Sequence, residues 1–193
     1  NGGDGGYVWV KQRTTPTRHH RNYDTVRGVF PLYSSLDNLQ GSINPIDYDA
    51  NGFIFAGGES GVNENAEDYV AWVWRAGGQA TNIGVNSITG STPSIASDVS
   101  ANTAAGFSIV KVTYNTSSPH TVAHGLSSAP EVIFGKRVSG SSVSAGDWNT
   151  YHKFIDPDTS APETYFIKLN ERDGRADNVI YWNDTAPTSS VFT

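Results

Sequence analysis

Short apolar runs bounded by turn residues constrain the fold of this 193-residue chain more than any other feature. Each run is bounded by Gly, Pro, Asn, Asp or Ser, and none shows sustained helical periodicity. Runs of this kind predict an all-β protein, an antiparallel sandwich or barrel. The composition agrees, because charged residues are only 17% of the chain, below the roughly 25% of a typical globular protein.

The strongest predicted strand is Tyr69–Trp74, with the sequence Tyr-Val-Ala-Trp-Val-Trp. Because side chains alternate along a strand, this sequence places apolar groups on both faces. Such a pattern is typical of a central strand buried on both sides. We therefore expect Trp72 and Trp74 to be core residues, together with Phe107 and Ile109 of a later strand.

Two short apolar segments, one near the start of the chain and one near residue 130, each run into a Lys and an Arg: Tyr7–Arg13 and Glu131–Arg137. This similarity predicts equivalent strands in two related sheet modules. The predicted organisation is a Gly-rich linker at 1–6, a first β module at 7–78, a connection at 79–105 and a second β module at 106–193, cut short at its C-terminal end. Recurring apolar residues in the Gly/Ser/Thr/Asn-rich connection predict short strands there.

The net charge of −6 argues against binding DNA or RNA through phosphates, which needs a basic surface. No apolar run approaches the ~18 residues that span a membrane. The chain has no Cys, so it can form neither a disulfide nor a Cys-based zinc site. Its five His residues show no paired spacing on a strand, and we predict no metal and no cofactor. Calcium is the alternative, with Asp156-Pro157-Asp158 and Glu171–Gly174 as candidate loops, but neither has the EF-hand spacing and ordinary turns are favoured. His124 is predicted to be a turn residue that bonds to the backbone.

Two longer segments, Tyr69–Gly78 and Ser100–Val110, are joined by a Gly/Asn/Ser-rich stretch. Together with several shorter segments they resemble a recurrent module of marine tailed-phage virion proteins. The shorter segments are Thr121–Leu126, Ala129–Ile133, Trp148–His152 and Trp182–Phe192.

The resemblance implies a concanavalin-A-like jelly roll, an antiparallel β-sandwich. It also implies a non-enzymatic virion structural protein, such as a tail fibre, a capsid decoration or a similar appendage on the virion surface. Its partners would be copies of itself and other virion subunits, and no catalytic residues carry over. The alternative function is a carbohydrate-binding lectin module that recognises a host-surface glycan.

A glycan hydrolase on such a sandwich would need two carboxylates on one strand face. Asp47 and Asp49 have that spacing, but Pro45 and the turn at Asn51-Gly52 favour a solvated face. The sequence therefore predicts that the protein is not an enzyme.

Aromatic side chains suggest where a glycan or another subunit would bind. Trp148 lies among Gly, Asp and Asn residues and is expected to be the most exposed of the five Trp. The candidate contacts at this point are Trp148, Tyr151 and His152. A packing or subunit-contact function for the same three residues is the alternative.

Positive charge is concentrated in the N-terminal part of an otherwise acidic chain. Arg18, Arg21 and Tyr23 are therefore candidate contacts with another subunit, since interfaces favour aromatic and Arg side chains. Acidic residues that could complement them are Glu59, Glu64, Glu67 and Asp68. A solvated face with weak ion pairs is the alternative.

Overall fold

The computed structural model describes residues 5–42, 45–49, 51–55, 61–90, 92–114, 119–140, 146–158 and 160–193. These residues form antiparallel sheets with little helix, which confirms the expected all-β class. The helical segments described are a 3₁₀ turn, Pro162–Thr164, and one short α-helix, α1 (Val179–Trp182). Within the described ranges, no helix is long and apolar enough to cross a bilayer.

The described residues contain fifteen strands. In order they are β1 (Gly6–Gln12), β2 (Arg21–Asp24), β3 (Gly28–Tyr33), β4 (Ile46–Asp49), β5 (Gly52–Phe55), β6 (Tyr69–Arg75), β7 (Thr81–Ile83), β8 (Ser97–Asn102), β9 (Phe107–Val112), β10 (Val122–Ala123), β11 (Val132–Lys136), β12 (Trp148–His152), β13 (Tyr165–Lys168), β14 (Ala176–Asp177) and β15 (Val191–Phe192).

The first sheet has four strands in the order β3-β2-β1-β6. Strand β1 lies in its interior and pairs antiparallel with β2 and with β6. Val8 and Val10 of β1 are fully buried, and they form one core cluster with Tyr23, Ile46 and Val62. The aromatic hairpin β4–β5 packs against the same cluster. The hairpin therefore covers the part of this sheet face that β1 and β2 form.

The chain after β6 forms a four-stranded sheet, β11-β12-β13-β14, and a three-stranded sheet, β7-β8-β9. Asn178 is the N-cap of helix α1, and its side chain accepts a hydrogen bond from the Ile180 amide. Asn183, in the left-handed conformation, is the C-cap. The helix brings Trp182 against Tyr151 to build a second core cluster. The strands β10 and β15 pair to hold the last residues of the chain.

Contacts at Trp148 and at Gly77, among others, join the first sheet to the later ones. The indole N–H of Trp148 donates to the Tyr33 carbonyl oxygen at 2.8 Å. Gly77 comes two residues after β6 and lies very close to β8. A Cβ atom at this position would lie 1.9 Å from the Ala101 carbonyl oxygen. Because no side chain fits this approach, the crossing from one sheet to the next requires glycine.

The predicted duplication is wrong. Among the described residues, Tyr7–Arg13 contains β1, an interior strand with two neighbours. Glu131–Arg137 contains β11, which lies at a sheet edge there with β12 as its neighbour. Similar composition therefore occurs in strands with different positions. The connection at 79–105 does contain strands, β7 and β8, as expected. Strand β8 pairs with β9 across the proposed boundary, and the division into two modules stays a prediction.

The expected central strand is an edge strand. Within the described ranges β6 pairs with β1 alone, and Trp72 and Trp74 are 44% and 39% exposed. The prediction that both are core residues is therefore wrong, because no second strand or layer among the described residues covers them. Phe107 and Ile109 of β9 are half-buried and do not belong to a core cluster.

Candidate functional site

A continuous row of aromatic rings lies on the face of the first sheet opposite the β4–β5 hairpin. Trp9 and Trp72 are direct neighbours across β1 and β6, with ring centroids 5.9 Å apart. Tyr7 and Trp74 are the next such pair, at 5.6 Å. Two rings extend the row at its ends. We call the whole set the aromatic ribbon: His20, Trp9, Trp72, Tyr7, Trp74 and Phe107.

The polar atoms of the ribbon's inner side are satisfied within the chain. Trp9 Nε1–H donates to His20 Nδ1 at 2.8 Å, and the Tyr7 hydroxyl donates to Asn22 Oδ1 at 2.6 Å. Burial raises the pKa of Tyr7, which stays a neutral donor. Burial, followed by the nearby Lys11 charge, lowers the pKa of His20, which favours the neutral acceptor. The inner rings are therefore fixed, while Trp72 and Trp74 present their exposed surfaces to solvent.

Strand β6 is exposed on its other face as well. Val73 is 57% exposed and Ala71 is also exposed, although their partners on β1, Val8 and Val10, are fully buried. The hairpin that covers β1 therefore does not reach β6. A seven-residue strand with the sequence YVAWVWR thus presents apolar side chains on both faces. Such an edge is a template for pairing with another chain.

The hydrogen bonds between β1 and β6 determine which backbone N–H and C=O groups of β6 can bond to another strand. The Arg13 amide donates to the Asp68 carbonyl at 2.7 Å, and the Ala76 amide donates to the Gly5 carbonyl at 3.0 Å. Because bonded pairs alternate in an antiparallel ladder, the even-numbered residues of β6 point their N–H and C=O groups toward β1. The odd-numbered residues point theirs toward the opposite edge: Tyr69, Ala71, Val73 and Arg75.

The available edge is partly limited at its C-terminal end. The Arg75 carbonyl accepts a hydrogen bond from Asn102 Nδ2 at 3.4 Å, and Phe107 stacks on Trp74. The hairpin of β8 and β9 therefore flanks that end. Among the described residues, no strand pairs with the edge between Tyr69 and Val73.

A cleft of about 320 Å³ opens beside the His20 end of the ribbon. Trp9 forms one wall and the segment after β13 forms the other. The Ser34 hydroxyl is buried here without a hydrogen-bond partner among the described residues. Aromatic, hydroxyl and charged groups thus meet in one concave place, as they do in sites for small polar ligands. The lining residues are Trp9, His20, Ser34, Ser35 and 169–172.

The predicted contact residues Trp148 and Tyr151 are not exposed. Both are 4% accessible, and they alternate to opposite faces of β12. Polar neighbours suggested a surface position for Trp148, but its indole N–H reaches the Tyr33 carbonyl and its backbone amide bonds to Asn170. His152 is exposed, and its ring packs beside Phe154. The three residues therefore do not form one site.

The N-terminal candidates also differ from expectation. Tyr23 is fully buried in the first core cluster, so its prediction as a contact with another subunit is wrong. Arg21 is half-buried, with its guanidinium 5.8 Å from the Tyr33 ring. Arg18 forms an ion pair with Glu64 of the same chain at 3.5 Å, both side chains about two-fifths exposed. Glu59 lies outside the described residues.

The other polar predictions concern carboxylates and His124. Asp47 and Asp49 are exposed, as expected, and each accepts a hydrogen bond from a nearby backbone amide. His124 is buried and bonds to the backbone at both ring nitrogens, also as expected. Asp156 caps its own turn by accepting from the amides of Ser160 and Ala161. No group of three or more metal-ligating side chains occurs in the described part of the chain.

The aromatic ribbon is indicated by a pattern in the sequence, which was interpreted there as a pattern of buried core residues. Tyr7, Trp9 and Lys11 share one face of β1, and aromatic residues recur with the same period in β6. Cross-strand pairing of two such strands generates an aromatic row. His20 and Phe107 join it through the fold, and their sequence positions give no indication of this.

Comparison with known proteins gives one family and no named relative. The chain matches no curated protein and no solved structure. Residues 2–193 match the family described as Domain of unknown function (DUF7483). Because the match spans nearly the whole sequence, the chain belongs to the DUF7483 family.

Proposed function

We propose that this protein is a non-enzymatic structural subunit that acts by self-assembly and by binding partner subunits. The observation that carries the proposal is strand β6, an apolar edge to which no other strand of the described residues pairs. Trp72 and Trp74 are exposed on one of its faces and Val73 on the other. Soluble monomers rarely expose such contiguous apolar surface, and interfaces are enriched in aromatic side chains. Covering this strand would remove both the apolar surface and the unpaired backbone groups from water.

The setting we propose is the surface of a virion, in a tail fibre, a capsid decoration or a similar appendage. Support comes from the sequence resemblance to tailed-phage virion modules, whose central segment contains β6. The finer fold that we propose with it is a concanavalin-A-like sandwich. The antiparallel sheets and the hairpin layered over the first sheet agree with that architecture. An experimental structure of the intact particle, with density assigned to this chain, tests both statements.

The assembly function is tested by sedimentation-velocity ultracentrifugation of the purified chain over a wide concentration range. We expect a concentration-dependent oligomer, or a stable complex with another subunit of the particle. A true interface should bury about 1,000 Å² or more. A chain that stays monomeric at high concentration and has no neighbour in the particle would contradict the proposal.

Carbohydrate binding is the second candidate function, and the aromatic ribbon with its adjoining cleft favours it. Exposed indole faces can stack on sugar rings, and the cleft adds hydroxyl and charged groups that can bond to sugar hydroxyls. Binding of the chain to a glycan array, weakened by Trp9→Ala or Trp72→Ala, would support a lectin. Phe154→Ala is the matched control, because Phe154 is 61% exposed and lies outside the ribbon. Binding that does not depend on the ribbon would contradict this site.

The non-enzymatic part of the proposal is tested with the same glycans. The exposed carboxylates Asp47 and Asp49 bond to local backbone amides, and Glu67 accepts from the Thr14 hydroxyl. These contacts are typical of turns and of loop packing. Polysaccharide cleavage that is lost on replacing Asp47 or Glu67 by Ala would overturn the proposal.

A further inference from the structure

We infer that two copies of this chain pair through β6 in antiparallel orientation, with the two-fold axis at Ala71. The inference rests on the proposed assembly function and names its partner and its geometry. The two sheets of order β3-β2-β1-β6 would then join into one continuous sheet of eight strands. The occupant of the open edge is thus a second copy of the same strand.

The backbone limits which registers are possible. Only the odd-numbered residues of β6 direct their N–H and C=O groups toward the open edge, so bonded pairs must join odd residues to odd residues. An axis at Ala71 meets this condition and pairs Tyr69 with Val73 of the second copy. The bonded pairs would be Tyr69 with Val73, Ala71 with Ala71 and Val73 with Tyr69.

A hydrogen bond at the C-terminal end of β6 disfavours one of the permitted registers. An axis at Trp72 would also pair odd with odd residues, but it needs the Arg75 carbonyl, which already accepts from Asn102. An axis at Ala71 uses only the open segment from Tyr69 to Val73. Its non-bonded pairs set Trp72 beside Val70 of the second copy, so that every cross-strand neighbour is apolar or aromatic.

The charged residues at the two ends of β6 favour the antiparallel orientation of the two copies. The strand ends at Arg75, while Glu67 and Asp68 directly precede its start. Continuing the antiparallel register beyond the paired segment places Arg75 opposite Glu67 of the second copy, on the same face. An in-register parallel arrangement would instead align Arg75 with Arg75, and like charges directly opposite each other are destabilising. The strand is therefore self-complementary only in the antiparallel sense.

Disulfide trapping tests the axis, because the natural chain has no Cys. In a bonded antiparallel pair the Cα atoms lie about 5.5 Å apart, within the roughly 4.4–6.8 Å that a disulfide spans. Ala71→Cys should therefore form a reducible dimer under mild oxidation. Val73→Cys is the matched control, since the two Val73 Cα atoms would be offset by four residues, about 13 Å. Val85→Cys, on the rim of another sheet, measures random collision.

Two further variants test the contact without a new cysteine. Ala71→Pro removes an N–H that points away from β1, so the fold is retained while pairing across the axis is lost. Val73→Lys places a charge in the apolar interface. Phe134→Lys is its control on β11, another edge strand, where Phe134 is 53% exposed. We expect at least a tenfold weaker dimer for the first two variants and no change for the control, with unchanged circular dichroism.

The outcomes separate this inference from the proposed function. A dimer trapped by Ala71→Cys alone, and weakened by Ala71→Pro, supports the β6 axis. Equal trapping by Val73→Cys overturns the register. An oligomer that forms normally in Ala71→Pro and Val73→Lys overturns the β6 pairing while leaving assembly through another surface intact. A wild-type chain that is monomeric at all concentrations overturns the pairing of two copies.

Discussion

Trp9 and Trp72 face each other across two antiparallel strands, and their rings meet edge to face with centroids 5.9 Å apart. Trp9 is half-buried and bonds to His20, whereas Trp72 is 44% exposed. The pair therefore joins a fixed inner ring to an exposed outer one. An edge-to-face contact of this kind contributes about 0.5–1.5 kcal/mol beyond burial.

The first prediction compares two tryptophans. Trp72→Ala should lower the free energy of unfolding by only about 1–2 kcal/mol, because much of its indole is already in water. Trp148→Ala should cost about 3–5 kcal/mol, since it empties a buried site that also holds a hydrogen bond to Tyr33. Urea unfolding of both variants at a concentration where the wild type is monomeric gives the comparison. Equal losses would contradict the assigned positions of the two side chains.

The second prediction concerns the crossing at Gly77. Gly77→Ala forces a Cβ atom against the Ala101 carbonyl, which backbone movement must relieve, and it should destabilise the protein by about 1–3 kcal/mol. Gly84→Ala is the control, because a Cβ atom there meets nothing within 4 Å. The melting temperatures of both variants, measured by scanning calorimetry, test the difference. A Gly77→Ala protein as stable as the control would show that the two segments are farther apart.

The third prediction is that the stability of the folded protein depends on pH through His124. The Leu126 amide donates to Nδ1, so Nε2 carries the hydrogen and donates to the Thr188 carbonyl. Burial lowers the pKa of His124, although the bond to Thr188 partly opposes this. Between the lower folded pKa and the unfolded pKa of about 6.5, the unfolded chain binds more protons than the folded chain. The stability should therefore fall as the pH drops through this range.

Titration of the His124 ring by NMR, together with unfolding at pH 7 and pH 5, measures this effect. The His124→Gln variant should lose the part of the pH dependence of stability that is due to His124. It should keep the part due to His20, whose pKa is also lowered by burial. A His124 ring that titrates above the ordinary histidine range would contradict the assignment.

The fourth prediction concerns Asp147, which lies beside β12. Its carboxylate accepts from Asn170 at 2.9 Å and pairs with Lys168 at 2.8 Å, and these contacts lower its pKa, the Asn170 bond most strongly. The contribution to stability is therefore present above the unfolded pKa of about 3.9 and is lost as pH falls through the lower folded pKa. Asp147→Asn should be less stable than wild type at pH 7.

The difference should shrink as the pH falls below the unfolded pKa of about 3.9 and through the lower folded pKa, because the wild-type carboxylate then also becomes neutral. Glu171→Gln is a suitable control, because Glu171 is an exposed neighbour that also contacts Asn170, at 3.4 Å. A difference between Asp147→Asn and wild type that is constant across this range would exclude the ionic contribution.

The strands could be predicted from the sequence more readily than their surroundings. Tyr69–Trp74 was expected as a strand and β6 spans Tyr69–Arg75, because period-two alternation is a local property. Burial depends on which strands lie beside it, and an apolar pattern on both faces suits a central strand and an assembling edge strand equally. For the same reason Trp148 could not be placed, since the Tyr33 carbonyl that satisfies its indole is remote in the sequence.

The alternation along β6 also limits how this strand can change during evolution. Inserting or deleting one residue before Trp72 would turn both tryptophans toward the side of Val8 and Val10 and exchange the backbone groups that face solvent. A two-residue change would preserve both the faces and the hydrogen-bonding edge. Family members are therefore expected to vary in the length of the preceding loop by any number of residues, but within β6 itself only in steps of two.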